Sequence, residues 1–285
     1  MRLLSTNSDG EFSLTEFIDD SGADQEEVAF KDMIEKTGRD KLGYGKLQFC
    51  KERAASDHLD YFWVDTCCID KSSSTELSEA INSMFRWYRE AAKCYVYLSD
   101  VSTSGSIQIG PPSQLTWEAA FQQSRWFTRG WTLQELLAPA SVEFYSTDGK
   151  LLGDKTLMVR VLQEITGISG RALPVQGDPL SGFSVDERLS WAAGRKTKRT
   201  EDAAYSLLGI FDIHMPLIYG EGKDKAMARL RREMQSLQGE GSRSGIAHSY
   251  NGPVFNGAIS GRYVIPGPQA TGGTMNFNFG GDGQR

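Results

Sequence analysis

The stretch YFWVDTCCIDKSSSTELSEAINSMFRWYREAAKCYVYLSD, residues 61–100, decides the fold. Tyr61-Phe62-Trp63-Val64-Asp65-Thr66 is a continuous apolar run with a polar end, the pattern of a buried parallel strand. Ser73 and Glu76 have capping-box spacing and open a helix. Leu77, Ile81, Met84, Phe85, Tyr88 and Ala92 then recur at three- and four-residue intervals and make one apolar face. Cys94-Tyr95-Val96-Tyr97-Leu98 is a second buried strand, closing at Ser99-Asp100. Strand, helix and strand in this order predict a right-handed βαβ unit. In such sheets functional groups gather beyond the carboxyl ends of the strands, which here carry Asp65, Thr66, Ser99 and Asp100.

Working outward, residues 114–124 and 131–137 read as helices, the second stopped before Pro139, and residues 141–145 as a strand. Residues 155–165, 186–193, 201–210 and 223–237 read as further helices. The chain up to 238 therefore divides into an α/β core of residues 1–146 and a mainly helical part of residues 147–238 that caps the sheet. From Gly241 to Arg285 there is no Leu and no Lys, Asp282 is the lone acid, and 11 of the 30 glycines fall in those 45 residues. That mixture cannot build a core, which puts a domain boundary near Gly239 and a separate tail over 239–285.

Composition bounds the rest. Hydrophobic content of 39% and charge of 24% suit a chain that buries a sizeable core. A net charge of −6 argues against nucleic acid as the main partner. The basic run Arg195-Lys196-Thr197-Lys198-Arg199 reads as a solvated loop beside a helix start. No apolar run reaches the ~20 residues of a membrane span, and the N-terminus is too short in apolar residues for a secretory signal. Cys50, Cys67, Cys68 and Cys94 lack metal-site spacing, so no metal is expected, and reduced, mostly buried thiols in a cytoplasmic protein are the expectation.

Three stretches carry a family resemblance: residues 63–101, SRWFTRGWTLQELLAP (124–139) and RLSWAAGRKTKRTEDAAYSLLGIFDIHMPLIYGEG (188–222). They closely resemble the fungal heterokaryon-incompatibility (HET) domain, whose members act in non-self recognition and regulated cell death. HET domains are in turn remotely similar to TIR domains, which implies a TIR/flavodoxin-like parallel sheet with added helices. Some TIR domains hydrolyse NAD with a helical Glu that follows a Trp by four positions. Trp131 and Glu135 match that spacing and fall on one helix face. A carboxylate there would hold ribose hydroxyls and stabilise an oxocarbenium-like state as nicotinamide leaves. The plain alternative is that Glu135 caps or salt-bridges an exposed helix face.

On the same resemblance Asp65, Asp70 and Arg129 are candidates for contacting NAD as a substrate, with no resident cofactor required. Asp65 can equally bond nearby amides, Asp70 can start the following turn, and Arg125 suits surface ion pairing. Trp63, Trp87 and Trp191 read as core. The chain also departs from the family pattern: the early strand ending in a Ser-His-Thr-Trp-Gly-like motif is missing. In a TIR-like strand order 2-1-3-4-5 that strand lies between those at Tyr61 and Cys94, and its loss leaves two edges unpaired. Residues 2–6 substitute, or the two strands pair directly, or the sequence is incomplete.

The tail, with VFNGAISGRYVIPG (254–267) and ATGGTMNFNF (270–279), resembles the fungal sigma motif, an amyloid signalling sequence shared with NACHT-type (NLR) receptors. Composition alone reads it as a disordered linker. The resemblance implies short strands carrying Val254, Phe255, Asn256, Ile259, Val264, Ile265, Asn276, Phe277, Asn278 and Phe279, with Asn ladders along a fibre. Gly257 and Gly261 would form bends between them, and Pro266 and Pro268 an arc. The partners it implies are an NLR receptor with a matching motif and further copies of this chain.

Overall fold

The computed structural model of the chain describes residues 1–5, 27–104, 117–173 and 177–241. The tail positions Val254 to Phe279 lie outside the described residues, which belong to a compact unit ending at Ser242. In chain order the elements are β1 (Leu4–Ser5), α1 (Phe30–Glu35), α2 (Leu42–Ser56), β2 (Tyr61–Phe62), α3 (Asp65–Cys68) and α4 (Ser74–Glu90). There follow β3 (Cys94–Leu98), α5 (Trp117–Gln122), a 3-10 turn (Arg125–Thr128), α6 (Thr132–Leu137), β4 (Val142–Ser146) and β5 (Leu151–Asp154). The last part holds α7 (Val159–Thr166), a 3-10 turn (Leu180–Gly182), α8 (Val185–Ser190), α9 (Asp202–Tyr205) and α10 (Lys223–Gly241). The result is a mixed α/β unit with little sheet, and its last helix runs two residues past Gly239.

The sheet differs from expectation in its strand pairing. β3 and β4 pair in parallel from Cys94↔Val142 to Leu98↔Ser146, and β5 adds antiparallel to β4. β2 does not join them: it pairs antiparallel with β1, Leu4 opposite Phe62. The βαβ unit expected over 61–100 is thus replaced by a parallel pair whose crossover is α5 and α6. The reason is local. Only Tyr61-Phe62 is extended, because the amides of Cys67 and Cys68 donate to the Val64 carbonyl and coil the chain into α3. A short apolar run does not distinguish a buried strand from a buried helical turn. The segment 2–6, named as a stand-in for the missing strand, supplies the two residues that pair with β2.

α4 forms as its pattern predicts. Ser73 caps it by accepting from the Glu76 amide at 3.3 Å, while the Glu76 carboxylate turns away to the Asp70 amide (2.9 Å) and to Arg2. Its buried side, Ala80, Ile81, Met84 and Tyr88, lies on the core. Asn82 clamps the helix to the second half of the chain, donating to the Met215 carbonyl (3.3 Å) and accepting from the Met215 amide (3.1 Å). Gly209 is required beneath it, since a Cβ there would sit 1.9 Å from Cβ of Phe85. Over β4 an aromatic cluster forms, with Phe144 ringed by Phe121, Trp126 and Phe127 at centroid separations of 5.3, 5.6 and 6.3 Å. The first two are edge-to-face, a geometry that adds about 0.5–1.5 kcal/mol per pair beyond burial. All four cysteines are free and buried.

Candidate functional site

The second family-like stretch is held from both sides. Asp100, just past β3, accepts from the Ser124 hydroxyl and the Arg125 amide, each at 2.8 Å, and so fixes the start of the 125–128 turn. On the far side the Gly130 amide donates to the Lys196 carbonyl (2.8 Å) and the Lys196 amide to the Thr128 carbonyl (2.7 Å). A Cβ at Gly130 would lie 2.5 Å from Cγ2 of Thr197, so glycine lets the two segments touch. α6 then enters the core with every residue buried. Thr132 Oγ1 donates to the carbonyls of Trp126 (2.7 Å) and Arg129 (3.0 Å), which satisfies the turn before it. The buried Lys155 ammonium closes the other end by donating to the carbonyls of Leu136 (3.2 Å) and Pro139.

Glu135 is on that helix and only 2% exposed. Its Oε2 accepts from Trp126 Nε1 at 3.3 Å, and its Oε1 has no hydrogen-bond partner among the described residues. Burial pushes its pKa up to about 8; the Arg129 and Arg195 charges and the Trp126 bond pull against this, and the Asp65 charge adds to it. Asp65 pairs through Oδ2 with Lys71 at 2.9 Å and leaves Oδ1 buried without a hydrogen bond. Arg195 donates from Nη1 to the Arg129 carbonyl and to Thr132 Oγ1, both at 2.9 Å, and from Nε to the Trp191 carbonyl at 3.0 Å. Burial depresses its pKa, and Glu135 opposes that. The arrangement holds a carboxyl that carries its proton at neutral pH, with one oxygen still able to bond.

The sequence put Trp131 and Glu135 on one face, but they take different partners. Trp131 Nε1 donates to Asp202 Oδ2 at 3.2 Å, and Tyr219 donates to the other oxygen of Asp202 at 2.9 Å. The Asp65 and Arg129 charges act on Glu135. Asp70 Oδ1 accepts from the Ser72 amide at 3.0 Å and from its hydroxyl, the turn-starting role weighed for it. Arg125 pairs with Asp100 at 3.5 Å as a surface residue. Glu135 does not occupy an exposed helix face, which corrects the plain alternative for it. The reading of 195–199 as a solvated loop holds for Lys196, Lys198 and Arg199, which are exposed, and fails for Arg195, whose guanidinium turns inward.

Sequence reasoning missed Trp126, Arg195 and Asp202 as partners of the matched pair. Only their presence inside the family-like stretches could have drawn notice, because none has a helical or strand spacing to Glu135. Among the described residues no three His, Cys, Asp or Glu side chains gather to hold a metal ion. Nor is any described helix long and apolar enough to cross a membrane.

A family model described as heterokaryon incompatibility protein (HET) matches residues 45–115. The vegetative incompatibility protein HET-E-1 of Podospora anserina is 58% identical over 213 residues, 75% of this chain and 15% of that protein. The chain therefore spans a small part of this relative's length. No solved structure matches it. The family-like stretches, the matched model and this identity agree: the chain is a member of the heterokaryon-incompatibility (HET) family.

Proposed function

We propose that the chain is an effector of fungal heterokaryon incompatibility: a cytoplasmic protein that drives regulated cell death once its HET domains are gathered. The observation that carries this reading is the 58% identity to a protein named for vegetative incompatibility. In the proposal an NLR receptor's matching motif templates amyloid assembly of the tail, and the tethered domains reach the millimolar local concentrations typical of short linkers. The domain is read as TIR-like in descent, with the β3–β4 parallel pair as the remnant of a flavodoxin-like sheet.

The chemical step in this reading is NAD cleavage at Glu135. A protonated carboxyl cannot stabilise a developing oxocarbenium ion. Burial is what keeps Glu135 protonated, so clustering must open α6 to solvent and let the carboxylate form. Asp65, Asp70, Arg129 and Trp131 would then frame the dinucleotide. A second reading, a non-enzymatic adaptor, is favoured by the near-complete burial of Glu135; an inactive member lacking the first sheet strand is the third.

Drug-induced oligomerisation in cells, scoring NAD level and viability together, separates them. The enzymatic reading expects NAD loss and death with the native chain and neither with Glu135→Gln, which keeps the shape of the neutral side chain. Death without NAD loss, unchanged by Glu135→Gln or Glu135→Ala, would establish the adaptor. Soluble, folded, clustered protein that leaves both readouts unmoved would leave the inactive member.

A further inference from the structure

A cleft of about 600 Å³, whose lining does not include Glu135, lies between α4, the end of α6, α8 and the segment 209–212. That volume is in the range of small-molecule sites. Its walls include Phe85, Leu137, Ile210, Phe211 and Met234, an apolar body of aromatic and aliphatic groups. Two arginines face it as well, Arg89 from α4 and Arg188 from α8.

Arg188 is the informative one. Its guanidinium lies 4.5 Å from the Phe211 ring centroid, and Nη1 donates to the Ile210 carbonyl at 2.9 Å. Nε is buried with no acceptor among the described residues. Among the described residues no carboxylate pairs with it, and burial holds its pKa below the ordinary value. A buried guanidinium nitrogen favours a counter-charge or an acceptor, and among the described residues Arg188 Nε has neither. Of the acids lining the cleft, Asp178 is paired with Arg171 at 2.9 Å, and Asp212 is exposed. The cleft thus combines an apolar cavity with a cation that has no anionic partner among the described residues.

We propose that this cleft binds a small amphipathic anion, a carboxylate or phosphate ester on an apolar body, with Arg188 taking the anionic head and Arg89 assisting at the mouth. Arginine presents forked donors that fit both head groups. The site is separate from Glu135 and stands whether or not the chain cleaves NAD.

Calorimetric titration of the full soluble chain with decanoate, decyl phosphate and decanol tests it. The expected result is saturable one-to-one binding of at least one anion, about tenfold or more tighter than decanol. Whichever anion binds better identifies the head group. Arg188→Gln should weaken the anion by about tenfold and leave decanol unchanged. Because Arg188 also bonds the Ile210 carbonyl, Arg89→Glu, on an exposed side chain, is the second variant, expected to weaken the anion several-fold in protein of native thermal stability. Absence of saturable binding, equal affinity for decanol and the anions, or anion affinities unchanged in both variants would overturn the proposal.

Discussion

Glu135 and Glu201 are both nearly inaccessible to water, 2% and 6% exposed, yet their surroundings drive them in opposite directions. Glu201 Oε1 accepts from the amides of Gly220 (2.8 Å) and Gly222 (3.0 Å), and Oε2 from the Thr200 hydroxyl (3.2 Å). Bonds from its own amide and those of Gly222 and Gly220 hold its pKa below the ordinary value. Glu135 receives one long bond from Trp126, and burial raises its pKa to about 8. A buried acid's role is therefore written in its donors. Glu201 is a staple that closes the 217–222 loop onto α9. Glu135 is left with bonding capacity that the described residues do not use.

The largest effect on this contrast should come from Arg195, which belongs to neither acid but supports the first. Arg195→Ala removes three bonds to Arg129, Thr132 and Trp191 and takes a positive charge from Glu135. We expect a loss of about 3 kcal/mol in denaturant unfolding, and a Glu135 titration displaced further upward. An unchanged midpoint would show that the 195–197 segment does not brace α6.

Glu201→Ala comes next. It strands the Gly220 and Gly222 amides, and should lower the thermal midpoint by several degrees. Its pH signature is the sharper test. Because the folded pKa is depressed, the carboxylate's contribution is present above the unfolded value and is lost as pH falls through the folded one. The native chain should lose stability on that acid limb, and Glu201→Gln should flatten it. A smaller change, about 1 kcal/mol, is expected for Trp131→Phe, which removes one of two donors to Asp202 while Tyr219 keeps the other. Urea midpoints would resolve it.

How far these sites could be read from sequence follows the same logic. α4 was legible because its cap and its apolar stripe agree, and β3 and β4 because short β-branched and aromatic runs end at polar residues. α2 was not: LGYGKLQFCKERAAS has no single apolar face, and it buries Lys46, whose ammonium pairs with Glu27 at 2.8 Å. β5, with its exposed Leu151, has too few residues to show alternation. At the candidate site the Trp131–Glu135 spacing was visible, because it is a local property of one helix. What surrounds Glu135 was not, because Trp126, Asp65 and Arg195 arrive from a turn, a misread strand and a basic loop. Spacing along a helix says which residues share a face; burial and partners are decided by segments outside that helix.

The smallest expected effect is the most discriminating. At pH 4 Glu135 is protonated in the folded and unfolded chain alike, so Glu135→Gln replaces one neutral group with another of the same shape, and stability should change by less than about 1 kcal/mol. The difference appears on raising the pH. With a folded pKa of about 8 against an ordinary 4.5, the folded state holds a proton that the unfolded state releases. The stabilisation is therefore complete below about 4.5 and is lost as pH climbs towards 8, with a slope of at most ~1.4 kcal/mol per pH unit. Glu135→Gln should remove that slope and make the variant more stable than the native chain at pH 8, the reverse of what Glu201→Gln does in acid. Urea titrations at pH 4, 6 and 8 measure it. Parallel pH profiles for native and variant chains would mean that Glu135 ionises freely in the folded state, and the contrast between the two carboxylates would disappear.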